Sequence, residues 1–233
     1  MKTVVLPYDE LCIEAAEQMV DAYENKPEAC FAFSAGEEQE GIYEALAMLC
    51  KMKGLRLSRC SIFLVNEYEG IPPNDGRSCA GRLSSLLYGS GVEAEQIIIP
   101  GADNISQLDA MIEQRGGIDL ALLGLGGNCR IGFNEPATPY NSPSRLQKLT
   151  DSTRKESAQF FGAAELVPEY GYTIGINSLI NARRHIIAAA GEEKAEAVFQ
   201  TLYARTDSYR PSAFWQLPLQ VTLYADTDAA AKL

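Results

Sequence analysis

The chain has 233 residues and a formal net charge of −11, with 31 acidic and 20 basic side chains. Its hydrophobic content of 46% and charged content of 22% are ordinary for a globular protein, which excludes a disordered, collagen-like or coiled-coil chain. The acidic balance, without any stretch rich in Lys or Arg, argues against nucleic acid or an anionic membrane as a partner.

The sequence also contains few signs of a membrane, a metal or an oxidising compartment. No apolar run approaches the roughly 18 residues of a membrane span, and the first residues hold too short an apolar stretch for a secretory signal. The 6 cysteines form no CxxC pair, so we interpret them as reduced thiols of a cytoplasmic protein. The single histidine, His185, begins an apolar run and is interpreted as a strand-end or core residue. No metal site is therefore predicted.

Apolar segments rich in Val, Ile, Leu and Phe alternate along the chain with amphipathic segments of helical period. The predicted strands are 3–7, 30–34, 60–66, 96–99, 118–124, 172–176, 185–190 and 220–224. The predicted helices between them include 10–24, 39–53, 81–88, 105–115 and 192–205. This alternation predicts an α/β fold, a three-layer α/β/α sandwich with a mostly parallel central sheet. Because no repeat or linker interrupts the pattern, one domain is expected over 1–233.

Ligands of such sheets bind at the carboxyl ends of the strands, so the loops after three predicted strands are candidates for a site. The first loop runs from Ser34 through Gly36 into a helix, which is a natural position for an anion. Here Glu37 and Glu38 open that helix, and we expect them to satisfy its terminus and to repel a phosphate. No GxGxxG fingerprint is present, so no dinucleotide cofactor is predicted.

The other two loops carry polar side chains at strand ends. Asn66 closes its predicted strand, where a catalytic side chain would project into a crevice, and the segment from there to Pro72 is predicted to be a loop. After the central strand, Gly124, Gly126 and Gly127 let the backbone turn tightly and approach a ligand. The same loop then offers three polar side chains, Asn128, Arg130 and Glu135.

This third loop, from Gly124 to Pro136, resembles the GxGxDGHxAFNEP signature of the glucosamine-6-phosphate deaminase/isomerase family. Further segments are similar to family motifs in the same order: 66–72 to DEYxGLP, 149–161 to LTxxTRxxxxRFF, 167–179 to VPxxALTVGxxTLL, 191–195 to GxxKA and 211–217 to PASxLQLH. The run Asn134-Glu135-Pro136 favours the deaminase branch over the related 6-phosphogluconolactonases. The resemblance implies a fold of the glucosamine-6-phosphate deaminase/ribose-5-phosphate isomerase type.

The family resemblance also implies a reaction. Members isomerise a 2-amino-sugar 6-phosphate from aldose to ketose with loss of ammonia, without a cofactor, and are often homo-oligomers. The implied partner is therefore a small sugar or sugar phosphate. A carboxylate shuttles the proton between two sugar carbons, an Asp–His–Glu set opens the ring, and a Gly/Thr loop, an Arg and a Lys hold the phosphate.

The family's acid–base positions are mostly replaced in this chain. The proton-shuttling Asp corresponds to Asn66, and the ring-opening Asp and His correspond to Asn128 and Arg130. An amide does not titrate in the working range, and a guanidinium stays protonated, so neither can act as a base. Only the family's Glu is unchanged, as Glu135. Cys129 stands where the signature has a glycine.

The phosphate-binding positions have changed as well. The GGTP or GSTP loop of the family corresponds to Gly36-Glu37-Glu38, and the Arg of RFF corresponds to Gln159. Only Lys194 is unchanged. The positions that the resemblance assigns to substrate binding are Ser34, Gly36, Glu37, Gly126, Gly127 and Lys194.

The sequence therefore predicts a family scaffold that binds a sugar and is silent in the family reaction. Its ligand is expected to be a neutral or cationic polyol, or an anion held only at Arg130 and Lys194. The alternative that stays open is an active amino-sugar-phosphate isomerase or deaminase with a rearranged catalytic set.

Overall fold

The computed structural model describes residues 1–233 and contains ten strands and seven α-helices. The strands are β1 (Lys2–Val5), β2 (Cys30–Phe33), β3 (Ser61–Leu64), β4 (Asn66–Tyr68), β5 (Ile97–Ile98), β6 (Leu120–Gly124), β7 (Arg145–Lys148), β8 (Tyr170–Thr173), β9 (Arg184–Ala189) and β10 (Val221–Ala225). The helices are α1 (Tyr8–Asn25), α2 (Glu40–Lys53), α3 (Cys79–Leu86), α4 (Leu108–Gln114), α5 (Asp151–Phe161), α6 (Ile176–Ile180) and α7 (Ala195–Tyr203).

Seven strands form one sheet in the order β1-β10-β9-β6-β2-β3-β5, and all neighbouring pairs are parallel. Side chains alternate between its two faces. Phe31 and Phe33 of β2 join a cluster with residues of α1, α2 and α3, whereas Ala32 joins a second cluster with residues of α4 and α7. Because both faces are covered by helices, the predicted three-layer sandwich around a parallel sheet is confirmed.

A second, antiparallel sheet of three strands in the order β4-β8-β7 was not predicted. The prediction of a loop at 66–72 is wrong for its first residues, because Asn66 begins β4 and lies opposite Thr173. The chain leaves the parallel sheet at Val65, whose N–H donates to Phe33 O and whose carbonyl accepts from Ile174 N. Strand β8 ends at Thr173, earlier than predicted, because Gly175 begins the turn into α6.

Two further features are the character of the helices and the position of His185 in β9. None of the helices combines the length and the apolar character that a membrane span requires. His185 is 2% exposed, and its Nε2 lies 3.0 Å from the carbonyl oxygen of Leu179. Burial lowers its pKa, so the interpretation of His185 as a core residue is confirmed.

Candidate functional site

Two adjoining depressions lie at the carboxyl ends of β2, β3 and β6 of the parallel sheet. The inner crevice is lined by residues that include Ser34, Gly36, Gln39, Asn66, Arg130 and Glu156. The outer cavity is lined by residues that include Glu37, Glu38, Glu40, Glu44, Glu193 and Lys194. Glu37, Glu38, Glu156 and Gln159 line both depressions, which makes them one continuous site. The loops that follow the three strands therefore converge, as expected for an α/β sheet.

The two depressions differ in size. The inner crevice holds about 50 Å³, room for a few waters at the roughly 10 to 15 Å³ that each needs in a cavity. The outer cavity holds about 490 Å³, within the range of small-molecule sites. Glu38 fills part of the inner crevice. Its carboxylate lies so close to Gly124, at the end of β6, that a Cβ on residue 124 would clash with it.

Asn66 lies in the inner crevice, 9% exposed, with its Nδ2 3.4 Å from the Sγ of Cys79. The neighbouring carboxylate of Glu67 does not reach the crevice. It accepts hydrogen bonds from the backbone N–H of Cys79 (3.0 Å) and Ala80 (2.8 Å), so it caps the start of α3. Burial raises the pKa of the Cys79 thiol to about 12, so that thiol is not a base near neutral pH.

Glu135, the retained acid, lies outside both depressions and is 1% exposed. It accepts hydrogen bonds from Thr150 N (3.2 Å), Thr150 Oγ1 (3.1 Å) and Asn128 Nδ2 (3.0 Å). Asn128 also accepts from the backbone N–H of Arg130 at 3.2 Å. The structure thus brings Glu135 and Asn128 together, but as a hydrogen-bonded support for the loop and for the start of α5.

Gly126 and Gly127 shape the same loop and line neither depression. A Cβ on Gly126 would lie 2.4 Å from Cγ of Arg130, so the close approach of that side chain requires glycine. Cys129 has φ of 66°, the left-handed conformation that favours the glycine of the family signature.

Arg130 and Lys194 are both paired with Glu156 of α5. The Nη2 of Arg130 lies 3.1 Å from Oε2 of Glu156, and the Nζ of Lys194 contacts the other carboxylate oxygen, Oε1. Burial opposes the ionised carboxylate, but the two positive charges prevail and lower the pKa of Glu156. Both cations that the sequence analysis left for an anion therefore already have an acidic partner inside the protein.

Sequence analysis missed Glu156, which matches no fixed letter of the LTxxTRxxxxRFF motif. One signal could have found it. Glu156 precedes Gln159 by three residues, and residues three apart on a helix share a face. An acid at that spacing from a phosphate-binding position points into the same site.

The start of the loop after β2 differs from expectation in one respect. Glu37 and Glu38 were expected to satisfy the helix terminus. Instead, Gly36 N donates to Oε1 of Gln39 (2.7 Å) and Gly41 N donates to the hydroxyl of Tyr8 (3.2 Å). Neutral groups thus satisfy these donors, and Glu37 and Glu38 line the outer cavity.

The chain was compared with known proteins. No family model matches it. The glucosamine-6-phosphate deaminase of Halalkalibacterium halodurans is 33% identical to it over 97% of this chain and 95% of its own length. That of Rhodopirellula baltica is 33% identical over 99% of this chain and 94% of its own.

The chain is also similar to solved structures. A structure described as a monomeric glucosamine-6-phosphate deaminase matches with a TM-score of 0.96 and 27% identity over 100% of both chains. A 6-phosphogluconolactonase from Trypanosoma brucei matches with a TM-score of 0.75 at 16% identity, over 100% of this chain and 98% of its own, and shows a shared fold. The architecture is thus shared with a glucosamine-6-phosphate deaminase and a 6-phosphogluconolactonase. By its identity to the curated relatives over nearly its whole length, the chain belongs to the glucosamine-6-phosphate deaminase family.

Proposed function

We propose that this family member binds an amino sugar or a related polyol at the carboxyl ends of its strands and does not deaminate glucosamine 6-phosphate at an enzymatic rate. Residues 1–233 would act as one functional unit, because both sheets contribute to the site. All six cysteines are free, which supports a reducing compartment such as the cytosol.

The proton relay of the family reaction has no acid at its first position. Asn66 presents an amide in the inner crevice, and the adjacent carboxylate of Glu67 is used to cap α3. A positioned general base contributes typically about 10² to 10⁴ in rate, so its loss alone is severe.

The ring-opening step of the family reaction also lacks its base in this chain. Arg130 stands where the family has a histidine, and a guanidinium holds its proton throughout the working pH range. The unchanged Glu135 cannot compensate, because its carboxylate is enclosed by Thr150 and Asn128 outside the crevice.

The observation that carries the proposal is the bridge that Glu156 forms between Arg130 and Lys194. Lys194 is 5% exposed, so its ammonium has little access to solvent as well as an internal partner. A phosphate entering here would have to displace a carboxylate that already holds two charge-assisted contacts. The site therefore no longer offers a free pair of cations to a sugar phosphate.

A second function, an active deaminase with a rearranged set, is favoured by one observation. The carboxylate of Glu38 lies at the end of β6 against Gly124, inside the inner crevice. A carboxylate there is chemically able to accept a proton from a bound sugar. The variant Glu38→Gln distinguishes this possibility, since it would abolish any turnover that depends on that group.

The experiment is ammonia release from glucosamine 6-phosphate and galactosamine 6-phosphate, with deuterium uptake from solvent into the sugar carbons as a second readout. We expect turnover at least about 10²-fold below a typical enzyme value of about 10 s⁻¹. Turnover near that typical value would contradict the proposal, and its loss in Glu38→Gln would then establish the second function.

A variant in which the family's residues are restored provides a second test. Asn66→Asp with Asn128→Asp and Arg130→His returns the acid–base set, and Glu156→Ala with Gln159→Arg frees Lys194 and returns the second cation. We expect measurable ammonia release only when both groups of changes are combined. Equal activity in the acid–base variant alone would show that Glu156 does not block the phosphate position.

A further inference from the structure

We propose that the outer cavity binds an ammonium group of an unphosphorylated amino sugar or aminocyclitol, whose ring hydroxyls reach the inner crevice. This inference deepens the proposed function and rests on it, because it names the class of ligand for the same site. The positions that the resemblance assigns to the phosphate, namely Glu37, Glu38, Gln159 and Lys194, all line this cavity. The cavity thus lies where the charged end of a family substrate would be, but its own charge is reversed.

The charge of the outer cavity is strongly negative. Its walls carry six carboxylates, from Glu37, Glu38, Glu40, Glu44, Glu156 and Glu193, and a single ammonium, that of Lys194. That ammonium is already paired with Glu156. Burial, and then repulsion from Glu37, raises the pKa of Glu40, as is usual where like charges share a site. A cation would relieve this repulsion, whereas a phosphate dianion would add to it.

A second, independent observation indicates that the site takes a ligand with hydroxyl groups. Ser34 is 5% exposed and Gln39 is 0% exposed, and both line the inner crevice. The Oγ of Ser34 and the Nε2 of Gln39 have no hydrogen-bond partner in the protein. Buried polar groups are rarely left without partners, so each is suited to a ligand atom. A hydroxyl can accept from Gln39 and can either donate to or accept from Ser34.

The arrangement favours an organic ammonium over a metal ion. No three acidic, histidine or cysteine side chains of the chain converge closely enough to hold a metal. The carboxylates are instead spread around about 490 Å³, a volume suited to a small organic molecule. Ammonium groups donate up to three hydrogen bonds, and dispersed carboxylates can accept them without crowding.

Calorimetry with three matched probes tests the inference. The probes are glucosamine, its 6-phosphate, and its 6-amino-6-deoxy analogue, which places a second ammonium where the phosphate stands. We expect the diamine to bind at least about 10-fold more tightly than glucosamine, as a charge-assisted hydrogen bond allows. The 6-phosphate is expected to bind at least about 10-fold more weakly than glucosamine, because repulsion replaces attraction.

A pair of variants locates the preference. Glu37→Gln combined with Glu44→Gln should reduce the advantage of the diamine over glucosamine by about 10-fold, because both carboxylates face the cavity. Glu95→Gln combined with Glu165→Gln removes the same charge from exposed positions outside it and should leave the ratio unchanged. An equal effect of both pairs would show that only the overall field of the protein acts, and would overturn the inference.

The outcomes separate this inference from the proposed function. Tighter binding of the 6-phosphate than of glucosamine, or no binding of the diamine, would overturn the inference even if no ammonia is released. Ammonia release at an enzymatic rate would instead refute the proposed function. The expected order of affinities without ammonia release supports both.

Discussion

Two regions at the same edge of the sheet use their carboxylates in opposite ways. Around Glu135, a buried acid has a hydrogen-bond donor at each of its oxygens, from Thr150 and Asn128. In the outer cavity, Glu156 is paired with the single ammonium, and the five other carboxylates form no ion pair. The first arrangement stabilises the loop that carries it, because a buried charge with several donors is well compensated. The second opposes folding, because like charges in one cavity repel each other.

This difference indicates which region retains a structural role and which is available to a ligand. A fold has no need of a cluster of facing carboxylates, and sites that bind ligands commonly sacrifice stability for function. The loop around Glu135 keeps the family's residue while supporting α5 through Thr150. Glu156 differs from the other carboxylates of the outer cavity, because it lines the cavity and yet is paired with Arg130 and Lys194. Substitutions in the two regions should therefore change stability with opposite signs.

The largest expected effect is that of Glu135→Ala. The change leaves the N–H of Thr150 without its acceptor at a position that is 1% exposed. It also leaves Nδ2 of Asn128 with only two long contacts, to Thr150 Oγ1 and Thr153 Oγ1 at 3.4 Å each. Because each buried group left unpaired costs about 1 to 3 kcal/mol, we expect a loss of about 3 kcal/mol in the free energy of unfolding, measured in urea. Glu135→Gln keeps an acceptor oxygen and should lose less. A loss below about 1 kcal/mol in the alanine variant would show that the network is not structural.

Glu156→Gln should cost about 2 kcal/mol near neutral pH, because it leaves Lys194 and Arg130 without their common partner in a partly buried setting. The folded-state pKa of Glu156 lies below its ordinary value of 4.5. Its contribution is therefore fully present above about pH 4.5 and is lost as the pH falls toward the lowered value.

The measurement is the stability difference between the wild-type protein and Glu156→Gln as a function of pH. We expect a constant difference between about pH 5.5 and 7 and a decline below about pH 4.5. A difference that stays the same down to pH 3.5 would show that the ionised carboxylate does not stabilise the two cations.

Much of the fold could be predicted from the sequence because its parallel strands are continuous apolar runs. Strand β6, buried along its whole length, is an example. The antiparallel sheet could not be predicted in the same way, because β4 has only three residues and β7 is polar with alternating burial. Their pairing joins residue 66 to residue 173, and no local pattern records a contact across that distance in the chain.

The candidate site, like the fold, could be predicted only in part. The positions of Ser34, Asn66 and Arg130 beside one crevice could be predicted, because each follows or ends a strand of the parallel sheet. The bridge at Glu156 could not, because it depends on α5, the loop after β6 and the turn before α7 meeting in space. Comparison with the family motifs identified which residues had changed, whereas only the structure shows that Glu156 is paired with Arg130 and Lys194.

A smaller effect concerns Cys129, in the same loop as Glu135. Its φ of 66° is the conformation that glycine adopts without a steric penalty. We therefore expect Cys129→Gly to be more stable than Cys129→Ala by about 1 kcal/mol, since both lack the thiol and differ only in the Cβ. Within α1, Ala22→Gly should instead destabilise by about 1 kcal/mol. The same sign at both positions would contradict the claim that this loop imposes a glycine-like backbone.

The smallest effect, and the one with the opposite sign, is expected for Glu44→Gln in the outer cavity. Glu40 and Glu44 are four residues apart on α2, where like charges destabilise a helix by roughly 0.2 to 0.5 kcal/mol. Removing one of them should raise the free energy of unfolding by a similar amount at low salt, and less at high salt because of screening. Glu95→Gln serves as the control, since it removes an exposed charge outside the cavity and should change stability less. A decrease in stability for Glu44→Gln would mean that the cavity carboxylates are held by favourable contacts, and the contrast with the region around Glu135 would then be lost.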